Sequence, residues 1–538
     1  MPQSKISVWI LILTLLMSLA ACGGSSSGPG GNHEPKPDPI TTPDSFSFAP
    51  QEGLTPGELV ESNTITLGGI TAAASISISN GEYKLGDGDY TDEDGRIEPE
   101  QSLTVRTTAP ESADTTKEVV VTVGGVNGSF VVSTMEDSEP PTASIVFPNV
   151  ISVTENTELT IRGTAEDALS EIARVTLIVN GAEEYEVESE DNFASWQAKV
   201  TLTPGAEHTI TVSVEDEYGN VDAEAATAVV HQQEWDEAFP DDEHVFERAE
   251  GMTYDEEGHR VFVGDWNTNS VITVDLFTGK RNEFFKGEGG GVDGAAALVI
   301  DRPQNRLLVV NERSSTVYSL NLDGELQPTL LTSRDHTSAD QPLFSSPRGI
   351  ALDPQNPNRA FVTAAGISRN LSGLDLSTGL RTLLSDSETP DGENPFAEPR
   401  GLLVDHSNDR ILVGSWSGGK VVISVDIETG ERAIFSGAGI GGGDVEFWCP
   451  HSLGSDQLSE RVLVGDCDKG IISVDINSGE RTVITEIIHR RDYNHGMFLY
   501  VEEGWQVLYY VDTRHRALLM LDLETKEHVI LSKGVSPD

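Results

Sequence analysis

The chain has 538 residues, more than one domain usually holds, and carries 88 aspartates and glutamates against 35 lysines and arginines, a formal net charge of −53. That balance argues against nucleic acid and anionic lipid surfaces as partners. It suits solubility in a salty medium that screens self-repulsion, with divalent-cation binding as the sharper alternative.

Residues 1–21 read as a targeting segment rather than a fold element. Lys5 supplies the charge, and 6–20 form an apolar run too short for a comfortable membrane span. The segment ends Leu19-Ala20-Ala21-Cys22. This resembles the lipobox of bacterial lipoproteins, which implies that Cys22 is acylated (palmitate included) and becomes the mature N-terminus. Gly23 follows in place of Asp, and the resemblance then implies sorting to the outer membrane, facing either periplasm or surface. An ordinary secretory signal is the alternative. Residues 22–43, rich in Gly, Ser and Pro, are expected to be a disordered tether.

From 44 to 135 short runs alternate apolar and polar residues, as in Ala74-Ser75-Ile76-Ser77-Ile78 and Val119-Val120-Val121-Thr122-Val123. That period of two, over this length, predicts an immunoglobulin-like sandwich. Asp87, Asp89, Asp92 and Asp94 cluster before Gly95. A calcium loop of the EF-hand type needs an acid where Tyr90 stands, so the cluster reads as an acidic hairpin turn, with Ca2+ as the alternative. Pro140-Pro141 marks the next boundary, and 138–232 repeat the logic. The run Glu215-Asp216-Glu217-Tyr218-Gly219-Asn220 resembles bacterial Ig-like modules of secreted proteins. The resemblance implies a spacer that carries the next domain, or an adhesion module.

From 240 to 538 a unit returns six times. Its first slot reads Gly251-Met252-Thr253-Tyr254-Asp255, then Ala297-Leu298-Val299-Ile300-Asp301, and recurs at 349, 401, 452 and 496, at intervals of about 44–52 residues. A second apolar run, a third ending as in Val274-Asp275-Leu276, and a fourth as in Arg381-Thr382-Leu383-Leu384 complete each unit. Four short strands per unit predict a six-bladed β-propeller, because one such sheet cannot bury both faces whereas six arranged radially can. The fold class is therefore all-β: two sandwiches, then a propeller.

In such blades the start of the first strand and the end of the second share one rim. The residues preceding each slot are Glu250, Ala296, Arg348, Arg400, His451 and His495. Second strands deliver Asp265, Trp266 and Asn267, then Asn311 and Glu312, Ser415 and Trp416, Asp466 and Asp468, and Asp512, Arg514 and His515. Arg and His thus gather at one mouth of a strongly acidic molecule. Guanidinium matches carboxylate and phosphate, so the mouth reads as a site for an anionic small molecule or acidic saccharide. The alternative is an internal set of ion pairs. Glycine-rich loops at 287–294 and 437–443 lack a following Gly-Lys-Ser/Thr, so they read as rim loops or a lid rather than phosphate loops.

Ala249-Glu250-Gly251 with Tyr254-Asp255 resembles the NHL and SMP-30/gluconolactonase/paraoxonase group of six-bladed propellers. The resemblance implies a metal-dependent hydrolase or lactonase in which Glu250 ligates the axial metal, Ca2+ included. Later slots carry Arg348, Arg400 and His451 where that group has Asn and Asp, so Glu250 alone carries over. A second enzyme reading is a uronate polysaccharide lyase, with Arg348 and Arg400 neutralising the carboxylate and His451, His495 or Tyr493 as base.

Cys449 and Cys467 flank the first hairpin of the fifth unit. Aligning Glu250 with Asp265 places His451 opposite Asp466 and Cys449 opposite Asp468, one position from Cys467. An irregular strand at Pro450 then permits a disulfide. Free cysteines, or a thiolate metal site with His451, are the alternatives.

Overall fold

The predicted apolar runs form strands. The computed structural model describes residues 38–149, 151–234, 244–287, 291–324, 327–335, 341–390, 392–416, 419–443, 445–456, 459–485, 498–502, 506–512 and 516–533. Cys22 and the targeting segment lie outside these. Among the described residues there is no α-helix, and the helical elements are the 3₁₀ turns Arg302–Gln304 and His406–Asn408. The chain divides into two compact units, one ending at Met135 and one starting at Glu136.

In the first unit a five-stranded sheet runs Gln51–Leu54, Val126–Thr134, Thr116–Val123, Ala74–Ser79, Gly95–Ile97. A second sheet gathers Leu59–Glu61, Ile65–Thr66 and Glu82–Leu85 around Ser102–Thr108. Strand Thr116–Val123 shows why they pack: Val119, Val121 and Val123 are buried while their neighbours are not, the period of two that gives a sheet one apolar face. Those valines join Ile76, Leu103, Val105 and Phe130 in one core, an immunoglobulin-like sandwich. Asp87, Asp89, Asp92 and Asp94 are all exposed.

The second unit begins with another sandwich. One sheet holds Thr142–Phe147, Glu158–Glu166 and Trp196–Thr201; the other holds Glu183–Glu186, Ile172–Val179, Glu207–Asp216 and Val221–Gln232. The short strand Ser152–Thr154 changes the picture of this module as a spacer. It pairs in parallel with Val221–Gln232, Ser152 against Val230, and antiparallel with the propeller's last strand, Val153 against Ile530. One sheet of nine strands therefore runs from the sandwich into the sixth blade. Arg162 reinforces the junction, reaching buried Asp522 at 2.7 Å and Glu524 at 2.9 Å, while the Thr160 amide donates to Glu527 at 2.7 Å. The edge that a terminal blade would otherwise expose is covered.

The blades' first strands are Ala249–Asp255, Ala295–Asp301, Pro347–Leu352, Pro399–Asp405, Pro450–Asp456 and Phe498–Glu502. Each begins an antiparallel run of four strands. Each first strand touches the next, and Phe498–Glu502 touches Ala249–Asp255, so the six form a ring. Their close approach explains the small residue opening each slot: a Cβ on Gly349 would meet the Arg400 oxygen at 2.5 Å, and one on Gly401 the His451 oxygen at 2.6 Å.

Two side-chain repeats hold the blades. The aspartate ending a first strand pairs with the arginine opening the second: Asp301 with Arg306 at 2.7 Å, Asp405 with Arg410 at 2.7 Å, Asp456 with Arg461 at 2.6 Å. In the fourth strands Arg281, Arg381, Arg432 and Arg481 are buried, each over the ring of Phe246, Phe344, Phe396 or Phe447 respectively. Each donates to the preceding blade's outer strand: Arg381 to the Ser333 oxygen, Arg481 to Ser436 Oγ, and Arg281, across the ring, to Ser532 and to the Arg516 oxygen.

Candidate functional site

The rim residues face the axis because of a repeated irregularity. Ala249 pairs with Asp265 and Gly251 with Gly264, which leaves Glu250 as an extra residue. The same one-residue β-bulge leaves out Ala296, Arg348 and His451, and in the fourth blade the register shifts across Arg400 and Gly401. A bulge bends the strand and re-aims the extra side chain. The register expected from sequence is corrected accordingly: Pro450, not His451, lies opposite Asp466. Cys449 then stands beside Cys467 rather than Asp468. Their Cα atoms are 5.6 Å apart and the sulfurs are bonded, which leaves no thiolate for a metal beside His451.

Glu250, Arg348, Arg400 and His451 converge at one mouth. Glu250 is fully buried and meets Arg248 at 2.6 Å, Arg348 at 3.5 Å and the His451 Nε2 at 3.8 Å. Arg348 also pairs with Glu312, whose other oxygen accepts the Trp266 indole N–H at 2.8 Å. Arg400 is 2% exposed, donates to Glu398 at 2.7 Å and lies over the Trp416 ring at 4.1 Å. Burial, and then repulsion from Arg348, push the Arg400 guanidinium down to about 10. Nε and Nη1 of both Arg348 and Arg400 are buried without a hydrogen-bond partner. Below the mouth, a channel of about 90 Å3 is lined by Gly251, Arg348, Gly349, Gly401 and Ser452 among others.

This setting does not fit a divalent cation on Glu250. Its carboxylate is held between two guanidiniums, and a third, Arg400, lies close by. Repulsion from these cations outweighs one carboxylate's attraction. The metal expected from the SMP-30 resemblance is thus corrected.

Asp265 and Asp466 are engaged by backbone amides. Asp265 accepts the amides of Arg248, Asn267 and Thr268 at 2.8, 3.0 and 2.9 Å. Asp466 accepts those of Trp448, Cys449, Asp468 and Lys469. Both tie the incoming loop to the turn after the second strand, as Asn311 does with Asp293. Asn267 is exposed on that turn. Tyr493, His495, Arg514 and His515 lie outside the described residues.

Arg248 and Glu398 were missed by reading the slots alone. Each sits two residues before its rim partner, Arg248-Ala249-Glu250 and Glu398-Pro399-Arg400. Opposite charges two residues apart at the entry to a first strand are the signal.

Residues 141–212 match the bacterial Ig domain family. No curated protein resembles the chain closely enough to count as a match. Among solved structures, an auxiliary nutrient binding protein from Bacteroides ovatus is similar at 13% identity and a TM-score of 0.42, over 73% of this chain and 98% of that one. One from Bacteroides thetaiotaomicron has 12% identity and a TM-score of 0.41 over the same shares, 73% and 98%. A nidogen/laminin complex has 15% identity and a TM-score of 0.37, over 48% of this chain and 89% of that one.

Proposed function

We propose that this is a lipid-anchored protein of the bacterial envelope whose propeller mouth binds the carboxylate of an anionic small molecule or acidic saccharide. One observation carries the reading. Arg348 and Arg400 sit together, Arg400 buried and Arg348 nearly so, each with two buried guanidinium nitrogens that make no hydrogen bond, Arg348 Nη1 having only the Glu250 carboxylate at 3.5 Å. A carboxylate bridging them supplies those acceptors and relieves their mutual repulsion. Trp266 and Trp416 flank the same rim, and Trp448, two residues before Pro450, is 54% exposed with the Lys420 ammonium 3.6 Å from the centre of its ring, an aromatic and cationic surface suited to an acidic sugar.

Calorimetry with a galacturonate trimer against maltotriose tests it. Heat from the acidic trimer alone, lost in Arg400→Leu while the thermal midpoint holds, supports the reading. No binding, with Arg400→Leu losing several kcal/mol of stability, assigns the arginines to internal ion pairing. The anchor has its own test: Cys22→Ser should move the protein from the membrane to the soluble fraction, and unchanged fractionation removes the lipoprotein reading. The SMP-30-like hydrolase reading has no support from the cation-lined mouth. The lyase reading rests on His451, His495 or Tyr493 as its base, and a uronate trimer cleaved to an unsaturated product would favour it over plain binding.

A further inference from the structure

The second sandwich carries a group of acids that neither its fold nor the mouth explains. Asp137 precedes strand Thr142–Phe147, Asp167 follows Glu158–Glu166, and Asp216 ends Glu207–Asp216. One carboxylate oxygen from each lies within 4.8 Å of the other two.

Two of the three are held by their own loops. Asp167 Oδ1 accepts the amides of Leu169 and Ser170, both at 2.8 Å. Asp216 Oδ1 accepts those of Tyr218 and Asn220 at 2.8 and 2.9 Å, and its Oδ2 the Asn220 side-chain amide at 2.8 Å. Asp137 differs. It is 6% exposed, and both its carboxylate oxygens are shielded from solvent with no hydrogen-bond partner. A buried carboxylate turned toward two others, with no donor of its own, is a costly arrangement without a cation.

We infer that Asp137, Asp167 and Asp216 bind one calcium ion. The donors are all carboxylate oxygen, which suits a hard cation and not zinc or copper. Calcium accepts irregular all-oxygen coordination, which suits ligands drawn from three separate segments better than magnesium does, since magnesium demands near-ideal octahedral geometry and gives up its waters reluctantly. Each oxygen already bonded to an amide keeps a lone pair for the metal. The ion joins the segment leading into the module to two loops at one end of the sandwich. The acidic turn at 87–94, for which calcium is the alternative reading, keeps its four aspartates exposed; the ligands here are drawn from three distant segments instead.

The test is calcium titration of the full chain after chelator treatment, followed by calorimetry and by thermal melting. The expected result is binding of one ion per chain and a midpoint rise of about 3 °C or more at saturating calcium. Magnesium at the same concentration should give a smaller rise. Asp137→Asn should fold with an unchanged or higher midpoint in chelator, since it removes an uncompensated buried charge, and should lose one bound calcium equivalent and the calcium-dependent rise. Asp167→Asn, at the partly exposed member, provides the same readout should Asp137→Asn fold poorly. A midpoint that calcium does not move, or variants that keep the full rise and stoichiometry, would overturn the site.

Discussion

Arg281 in the first blade donates to the carbonyl oxygen of Ser532, at 3.0 Å, in the last. Its Nε also reaches Ser532 Oγ at 2.9 Å, and another of its bonds goes to the Arg516 oxygen at 2.7 Å. A buried side chain thus helps to latch the ring between blades that exchange no strand, beside the stacked rings of Tyr254 and Tyr509. Removing the Arg281 side chain takes these hydrogen bonds away, at about 1.5–3 kcal/mol for each bond to a charged group. Arg281→Met should therefore lower stability by about 3 kcal/mol or more in chemical denaturation. Arg313→Met, on the exposed rim, should leave the midpoint where it is. Equal midpoints for the two variants would contradict the latch.

The junction at Val153 and Ile530 gives a second expectation. A chain starting at residue 244 lacks the strand Ser152–Thr154 and offers the outer edge of the sixth blade to other molecules. It should aggregate, whereas a chain starting at residue 136 should be monodisperse by light scattering. A monodisperse propeller alone would show that the covering strand is dispensable.

Acid sensitivity is expected from the turns after the third strands. The Ser377 hydroxyl, and then the Thr378 amide, hold the Asp375 carboxyl down to about 2 from 3.8. The Thr429 amide lowers Asp426, and the Ser478 amide lowers Asp475. The folded chain then binds fewer protons than the unfolded one in this range. The contribution is complete above about pH 4 and is lost as pH falls toward about 2. Replacing all three by Asn should lower the thermal midpoint at neutral pH and flatten its fall between pH 4 and 2. An unchanged acid slope would place the sensitivity elsewhere.

The pair Cys449 and Cys467 can be counted chemically. Denatured, unreduced protein carrying Cys22→Ser should react with no thiol reagent, and should release two thiols on reduction. Two thiols before reduction would exclude the bridge.

Much of this architecture is visible in the sequence, for a physical reason. Repetition multiplies a weak local signal, so Val274-Asp275-Leu276 becomes informative when it returns blade after blade. The gathering of Glu250, Arg348, Arg400 and His451 is legible for the same reason. What escaped is of another kind. The pairing of Val153 with Ile530 joins residues far apart in the chain, and a three-residue strand has no period to betray it. The register at Glu250 and His451 depends on a bulge, and one extra residue leaves no mark on an apolar pattern. Asp265 and Asp466 look like ligands by type and position, but their loops bring backbone amides to them first. Arg281 and its counterparts were on view in the fourth strands, yet a charged residue beside a turn reads as solvated until Phe246 and its equivalents are found beneath it.

The bulge at the rim has a consequence for how such a protein can change. Glu250, Ala296, Arg348 and His451 stand outside the cross-strand ladder, so their side chains set no strand register. An alanine, a carboxylate, a guanidinium and an imidazole already occupy equivalent places around one ring without altering the strands behind them. The mouth can be rewritten one blade at a time, by single substitutions, while the framework that presents it stays the same.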